Sequence, residues 1–280
     1  MARIVAVHGV GQQFEGENSL KATWLPVIRD GLARASRTLD CDDDLSCAFY
    51  GDLFRSAGKS VFLPPLDETD IVDPLERELL ALWWQEAARV DAQVLGPKEA
   101  TKFWAPQIIQ RALSGLSHSK FFAGLAENAL IFDLKQTIQY LKEEDIRAQA
   151  RSRVVATIGP DTRVLIGHSL GSVVAYEALC AHPEWAIAVF VTIGSPLGVR
   201  NVIFDRLHPA PSADIGIWPG QVKQWINIAD RGDIVALEKQ LAPRFGDRVM
   251  DRIIDNGVKA HDANRYFTAR ETGEAIALGL

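Results

Sequence analysis

The run Gly167-His168-Ser169-Leu170-Gly171 constrains this chain more than any other. It reads G-x-S-x-G. Arg163 to Ile166 before it close an apolar, β-branched stretch, which predicts a buried strand. Val173, Val174, Ala175, Tyr176, Ala178 and Leu179 after it recur at helical spacing, so a helix begins directly after Ser169. A strand-to-helix turn this tight is strained and needs small flanking residues, because a Cβ there meets the neighbouring strand or helix. The pivot serine is thereby pushed out above the sheet edge. It stands over a helix N-terminus whose dipole favours developing negative charge.

A chain of 280 residues, 48% hydrophobic and 24% charged, suits a globular protein with one large α/β domain or two small ones. The net charge of -6, without a Lys/Arg cluster, argues against a nucleic-acid partner. Cys41, Cys47 and Cys180 are too few and too irregularly spaced for a disulfide framework or a zinc site. They fit a reducing compartment. The start of the chain does not read as a signal peptide, because His8-Gly9 interrupts a short apolar run. No run reaches the roughly 18 apolar residues of a membrane span. The expected location is the cytoplasm.

Arg3 to Val7 form a first buried strand, which runs into His8-Gly9-Val10-Gly11-Gln12. Phe14 occupies the place of the third glycine in G-x-G-x-x-G, so a dinucleotide loop is disfavoured. The other reading is a loop whose N–H groups face a site above the strand end, with His8 as a prop. A helix is expected over 20–39, capped by Asn18 or Ser19, and a second strand over 45–50. Asp42-Asp43-Asp44 reads as a solvated turn. Further strands are expected over 188–193, 222–229 and 248–254. An irregular stretch spans 197–220, and a closing helix spans 263–278. Strands alternating with helices imply a mostly parallel six-stranded sheet with helices on both faces. Right-handed crossovers then gather His8-Gly9-Val10, Ser169, Gly194-Ser195, Asp233 and His261 at one edge.

Residues 51–153 differ in character, with amphipathic helical runs and no strand-like ones. Residues 1–50 and 154–280 are thus assigned to the sheet domain, and 51–153 to a helical insert or cap. Leu75, Leu79, Leu82 and Trp83 mark one helix, and Phe103, Ile108, Ile109 and Leu113 another. Phe121, Phe122, Leu125, Leu130, Ile131 and Phe132 crowd more apolar surface into a short stretch than one outward-facing helix carries. The simplest reading is packing between helices. The sharper one is a lid, with Phe121, Phe122 and Phe132 lining an acyl pocket. The surplus also fits a second subunit or a peripheral membrane contact.

A serine becomes nucleophilic when a histidine, oriented by a carboxylate, removes its proton. Of the six histidines, only His261 follows a last strand. The order Ser169, Asp233, His261 then matches Ser…Asp…His. Asp233 is preferred to Asp230 because Ile234-Val235 anchor it, whereas Asp230 is placed to cap the Arg231-Gly232 turn. The Leu170 N–H supplies one oxyanion donor, and Val10 is best placed for the second.

Val7-His8-Gly9-Val10-Gly11, Gly167-His168-Ser169-Leu170-Gly171, Ile193-Gly194-Ser195-Pro196-Leu197 and Asp233-Ile234-Val235 with a late His261 resemble the α/β-hydrolase superfamily. Within it they resemble the lipase-like serine esterases with an H-G-x-G oxyanion loop. The resemblance covers the sheet but not the insert, and the two strands usual before the oxyanion loop are missing. It implies a smaller sheet, Ser169, Asp233 and His261 as a catalytic triad, Val10 in the oxyanion hole, and neither metal nor organic cofactor. The expected activity is hydrolysis of small-molecule or lipid carboxylic esters through an acyl-enzyme. The alternatives are an acyltransferase or thioesterase with the same triad, or a non-catalytic lipid- or protein-binding module. Oligomeric state is not legible in the sequence.

Overall fold

Six parallel strands form the centre of the molecule in the order β2-β1-β3-β4-β5-β6. The computed structural model describes residues 2–55, 65–97, 105–119, 121–122 and 125–280. Pro64, Phe103 and Trp104, on which part of the insert reading rested, lie outside the described residues. The strands are β1 (Ile4–Val7), β2 (Leu45–Ala48), β3 (Val164–His168), β4 (Val189–Ile193), β5 (Gln224–Asp230) and β6 (Val249–Ile254). The helices are α1 (Glu17–Arg34), α2 (Pro74–Val90), α3 (Pro106–Ser117), α4 (Glu127–Lys142) and α5 (Glu144–Thr157). They continue as α6 (Leu170–Ala181), α7 (Ala242–Phe245), α8 (Ala263–Thr268) and α9 (Arg270–Ala277).

Strand residues alternate between two cores, as the period-two geometry of a strand requires. Ile4, Ala6, Val164, Ile166, Val191 and Ile228 pack with Trp24, Ile28, Leu32, Phe267 and Ile276 of α1, α8 and α9. Val5, Val7, Leu165, Phe190 and Trp225 pack on the other face with α5, α6 and the helices α2 to α4. This is an α/β fold with helices on both faces of an all-parallel sheet, consistent with an α/β-hydrolase fold. After β1 the chain goes to β2 on one side of it and later to β3 on the other. The resulting switch point lies between β1 and β3, where open α/β sheets hold their ligands. No helix among the described residues is long and apolar enough to cross a membrane.

Several expected boundaries move, each for a local reason. Helix α1 begins at Glu17, because Ser19 Oγ accepts the Gly16 N–H at 2.8 Å; Gly16, not Asn18 or Ser19, is the cap. It stops at Arg34, because Ser36 turns left-handed at φ 58°. The Arg37 N–H then reaches Leu32 O at 2.8 Å and Ser36 N–H reaches Ala33 O at 3.0 Å, a Schellman closure. Strand β2 ends at Ala48, and Tyr50 turns in to donate its N–H to His8 Nε2. Asp44 is more than part of a solvated turn, since it pairs with Arg3 at 2.8 Å. The closing helix is broken at Ala269, whose ψ of 140° is extended. Helix α9 then crosses α1 so closely that a Cβ on Gly273 would lie 2.0 Å from Gly31 O. The stretch 197–220 is irregular but packed, with Leu197, Val202, Ile203, Phe204 and Leu207 buried.

The helices between β2 and β3 are tied to the sheet by polar contacts as well as apolar packing. Gln136 of α4 accepts the Gly11 N–H at 3.3 Å and donates to Gln13 at 3.0 Å, fixing α4 over the loop after β1. Glu86 of α2 pairs with Lys239 at 3.5 Å, beside the loop after β5. Helix α5, which straddles position 153, packs on α6 and β2.

Candidate active site

Ser169 holds a backbone conformation that its side chain disfavours. Its φ of 52° and ψ of -131° form the corner between β3 and α6. A non-glycine residue in that region is held there by its surroundings, and such strain clusters at functional positions. The flanking glycines are sterically required. A Cβ on Gly167 would lie 2.4 Å from Ser172 Cα, and one on Gly171 would lie 2.2 Å from His8 O. Gly9 is equally constrained, because its Cβ would meet that of Ser169 at 2.6 Å.

Neighbouring serines are occupied. Ser172 Oγ donates to Ser169 O at 2.6 Å, so Ser195 Oγ donates to Ser172 Oγ at 2.7 Å. Ser195 also accepts the Leu197 N–H at 3.3 Å. Both are buried structural pins beneath the elbow. Ser169 instead lines a cavity together with Val10, Leu170 and His261. Neither the Val10 nor the Leu170 N–H has a hydrogen-bond partner among the described residues.

His261 and Asp233 meet directly. Asp233 Oδ2 accepts from His261 Nδ1 at 2.8 Å and from Tyr266 Oη at 2.7 Å. Asp233 Oδ1 accepts the N–H groups of Val235 and Ala236 at 2.8 and 3.2 Å. All the strong acceptor positions of this fully buried carboxylate are used. Burial alone would raise its pKa. The His261 ring, Lys239 and the Tyr266 hydroxyl outweigh that and hold it well below the usual carboxylate range. With Nδ1–H given to Asp233, the lone pair of His261 is on Nε2. Asp230 plays the other part, accepting from Gly232 N–H at 2.6 Å and from the Asn256 N–H, and so closing the turn.

The remaining nearby histidines are supports. His8 Nε2 accepts the Tyr50 N–H at 3.1 Å, so Nδ1–H donates to Gly9 O at 2.6 Å. Burial lowers its pKa to about 4. The Tyr50 hydroxyl donates to His8 O at 2.6 Å and completes the brace under the loop after β1. His168 lies beneath His261 with ring centroids 4.8 Å apart, and its Nε2–H donates to His261 O at 3.0 Å. Burial and the adjacent His261 ring lower its pKa to about 3.

The cavity wall comes from the helices between β2 and β3. Leu79 and Trp83 of α2, Phe122, and Asp133 and Thr137 of α4 face it, with Pro196, Ile203 and Val235 opposite. Its volume is about 40 Å³. Of the three phenylalanines expected to line an acyl pocket, only Phe122 does so. Phe121 instead packs beside Gly232, where a Cβ would meet its ring at 3.1 Å. Phe132 is half-buried and is not part of the lining. Sequence reading missed Tyr266, His168, Tyr50 and Asp133. Tyr266 and Tyr50 gave no motif signal, and Asp133 is marked only by being an acid within an apolar run.

Among the described residues no group of three or more His, Cys, Asp or Glu side chains is placed to hold a metal ion. No protein-family model matches this chain, and no curated protein matches it significantly. The functional reading therefore rests on the geometry.

Proposed function

We propose that this protein is a serine hydrolase of carboxylic esters, working through an acyl-enzyme in the manner of the α/β-hydrolases. The observation that carries the reading is the Asp233–His261 contact at 2.8 Å, with His261 and the strained Ser169 lining one cavity. Ser169 Oγ attacks the ester carbonyl and gives its proton to His261 Nε2. Asp233 holds the ring in the required tautomer and stabilises the imidazolium. The tetrahedral oxyanion is received by the Val10 and Leu170 N–H groups, each worth about 2.7–4 kcal/mol of transition-state stabilisation. His261 then protonates the leaving alcohol, and a water activated by the same nitrogen releases the acid.

These groups and water suffice for the chemistry. The small cavity favours a short acyl or alcohol group near the carbonyl. The test is covalent labelling with a fluorophosphonate, followed by peptide mapping. A single adduct on Ser169, absent from Ser169→Ala, is expected. Labelling elsewhere, or none on folded protein, would overturn the assignment and leave a binding role on the same scaffold.

A further inference from the structure

The cavity wall holds two polar groups that the hydrolytic chemistry does not use. Helix α4 presents Asp133, Gln136 and Thr137 on one face, as spacings of three and four residues dictate. Gln136 is occupied by Gly11 and Gln13. Thr137 donates its hydroxyl to the Asp133 carbonyl at 2.9 Å. The Asp133 carboxyl has no hydrogen-bond partner among the described residues. It faces the oxyanion loop, with Oδ1 3.4 Å from where a Cβ on Gly11 would be. Burial pushes this carboxyl up to about 7, with the neighbouring His261 ring pulling the other way.

Trp83 supplies the second group independently. Its ring is buried at 4% exposure and lines the same cavity, yet its indole N–H has no partner among the described residues. Other tryptophans donate theirs: Trp84 to Leu95 O at 2.9 Å, Trp218 to Val222 O at 2.8 Å and Trp225 to Thr192 Oγ1 at 3.1 Å. Buried donors are nearly always paired, so an orphan beside a ligand cavity marks a group awaiting one. The rest of this wall, Leu79, Phe122, Ile203 and Val235, is apolar.

We propose that Asp133 and the Trp83 indole N–H form a subsite for a substrate hydroxyl group carried within a few atoms of the scissile ester carbonyl. A hydroxyl both donates and accepts. It gives its proton to Asp133 and takes the Trp83 N–H, satisfying both with one atom. An ammonium group satisfies Asp133 but leaves the indole N–H unpaired. A methyl group leaves both unpaired, and a carboxylate faces like charge. The volume of about 40 Å³ holds about three water-sized atoms, enough for a hydroxyl and the carbon that bears it. A site built to bond a hydroxyl rejects the analogue that lacks it far more strongly than an apolar pocket rejects a missing methylene.

The proposal rests on the hydrolase reading, and the experiment separates the two. kcat/KM is measured for matched pairs: 4-nitrophenyl 3-hydroxybutyrate against butyrate for the acyl side, and 2-hydroxyethyl against ethyl butyrate for the alcohol side. An aminoethyl ester serves as the cationic arm. The wild type is expected to prefer the hydroxylated member of one pair by at least about 10³-fold. Trp83→Phe and Asp133→Leu should each cut that ratio at least tenfold, and Asp133→Asn should cut it less. The ratio does not depend on how much of a variant is folded. Equal rates within both pairs, a preference that survives both variants, or the aminoethyl ester as best substrate would overturn the subsite. Fluorophosphonate labelling of wild-type Ser169 reads the other question: label with no hydroxyl preference removes the subsite alone, and absence of label removes both.

Discussion

The floor and the wall of the cavity are built on opposite principles. The floor comes from loops after β1, β3 and β5 and from the segment after β6, and its supporting side chains are hydrogen-bonded to one another or to backbone, while the Val10 and Leu170 N–H groups stay open. Asp233 accepts from His261, Tyr266, Val235 and Ala236, while His168 and His8 are each committed to backbone carbonyls. The wall comes from α2 and α4, and among the described residues the Trp83 N–H and the partly buried Asp133 carboxyl have no hydrogen-bond partner. A satisfied network fixes geometry and protonation state, which general chemistry requires. An unsatisfied pair is complete only with the right ligand, which selection requires. The hydrogen-bonded part thus sits on the sheet, and the part open to a ligand on the helices laid over it.

The largest blow to the floor is Ser169→Ala, which should lower ester turnover by at least about 10⁴-fold in steady-state assays while circular dichroism stays unchanged. Asp233→Asn should follow at about 10⁴-fold, through loss of the imidazole tautomer. Asp230→Asn should cost far less, because it weakens a turn and touches no reacting group. The opposite ranking in folded variants would exchange the two roles.

Floor and wall should also respond to pH in opposite senses. His8 and His168 are held to about 4 and about 3 in the fold, against roughly 6.5 unfolded. Between those values the unfolded chain binds more protons, so they withdraw stability as pH falls from about 6.5 towards 4. Asp133 is raised to about 7 against roughly 3.9 unfolded, so the native state binds more protons and stability is lost as pH rises through 7. Thermal melts from pH 4 to 8 should show Asp133→Asn gaining about 1 kcal/mol or more over wild type on going from pH 5 to pH 8. Parallel curves would show that the Asp133 carboxyl is not raised.

Tyr266→Phe deletes one donor to Asp233 and one acceptor for the Asp230 N–H, and should lower stability by about 1–3 kcal/mol in urea unfolding. The smallest effect belongs to the apolar wall. kcat/KM should rise about fourfold per added acyl CH₂, or 0.8 kcal/mol, and level off after the first few carbons. Phe122→Ala should move that plateau to longer chains. A rise continuing into long chains in the wild type would mean that the wall opens to admit them.

Much of the floor was legible in the chain. Gly167 to Gly171 needed only its flanking periodicities to be read as a strand, a sharp turn and a helix. All six strands stood out as short apolar-rich runs, β-branched in each but β2. Asp233 was separable from Asp230 by its local neighbours alone, since turn-capping and anchoring are local properties. The wall was less legible, and the three phenylalanines show why. Phe121, Phe122 and Phe132 are alike in type, yet one packs on Gly232, one lines the cavity and one does neither. Composition reports how much apolar surface a segment carries and is silent on what it meets.

The sequence by itself placed the strands, the chain order of Ser169, Asp233 and His261 and the corner that lifts Ser169, because these depend on spacing along the chain. Only the tertiary structure decided that Tyr266 and His168 hold the Asp233–His261 pair, and that Tyr50 braces the loop after β1. It alone set Asp133 and Trp83 on one wall, 50 residues apart in the chain. The physical reason is that a hydrogen bond or a desolvated carboxyl is a property of what surrounds a group, and in a parallel sheet those surroundings are assembled from segments distant in sequence.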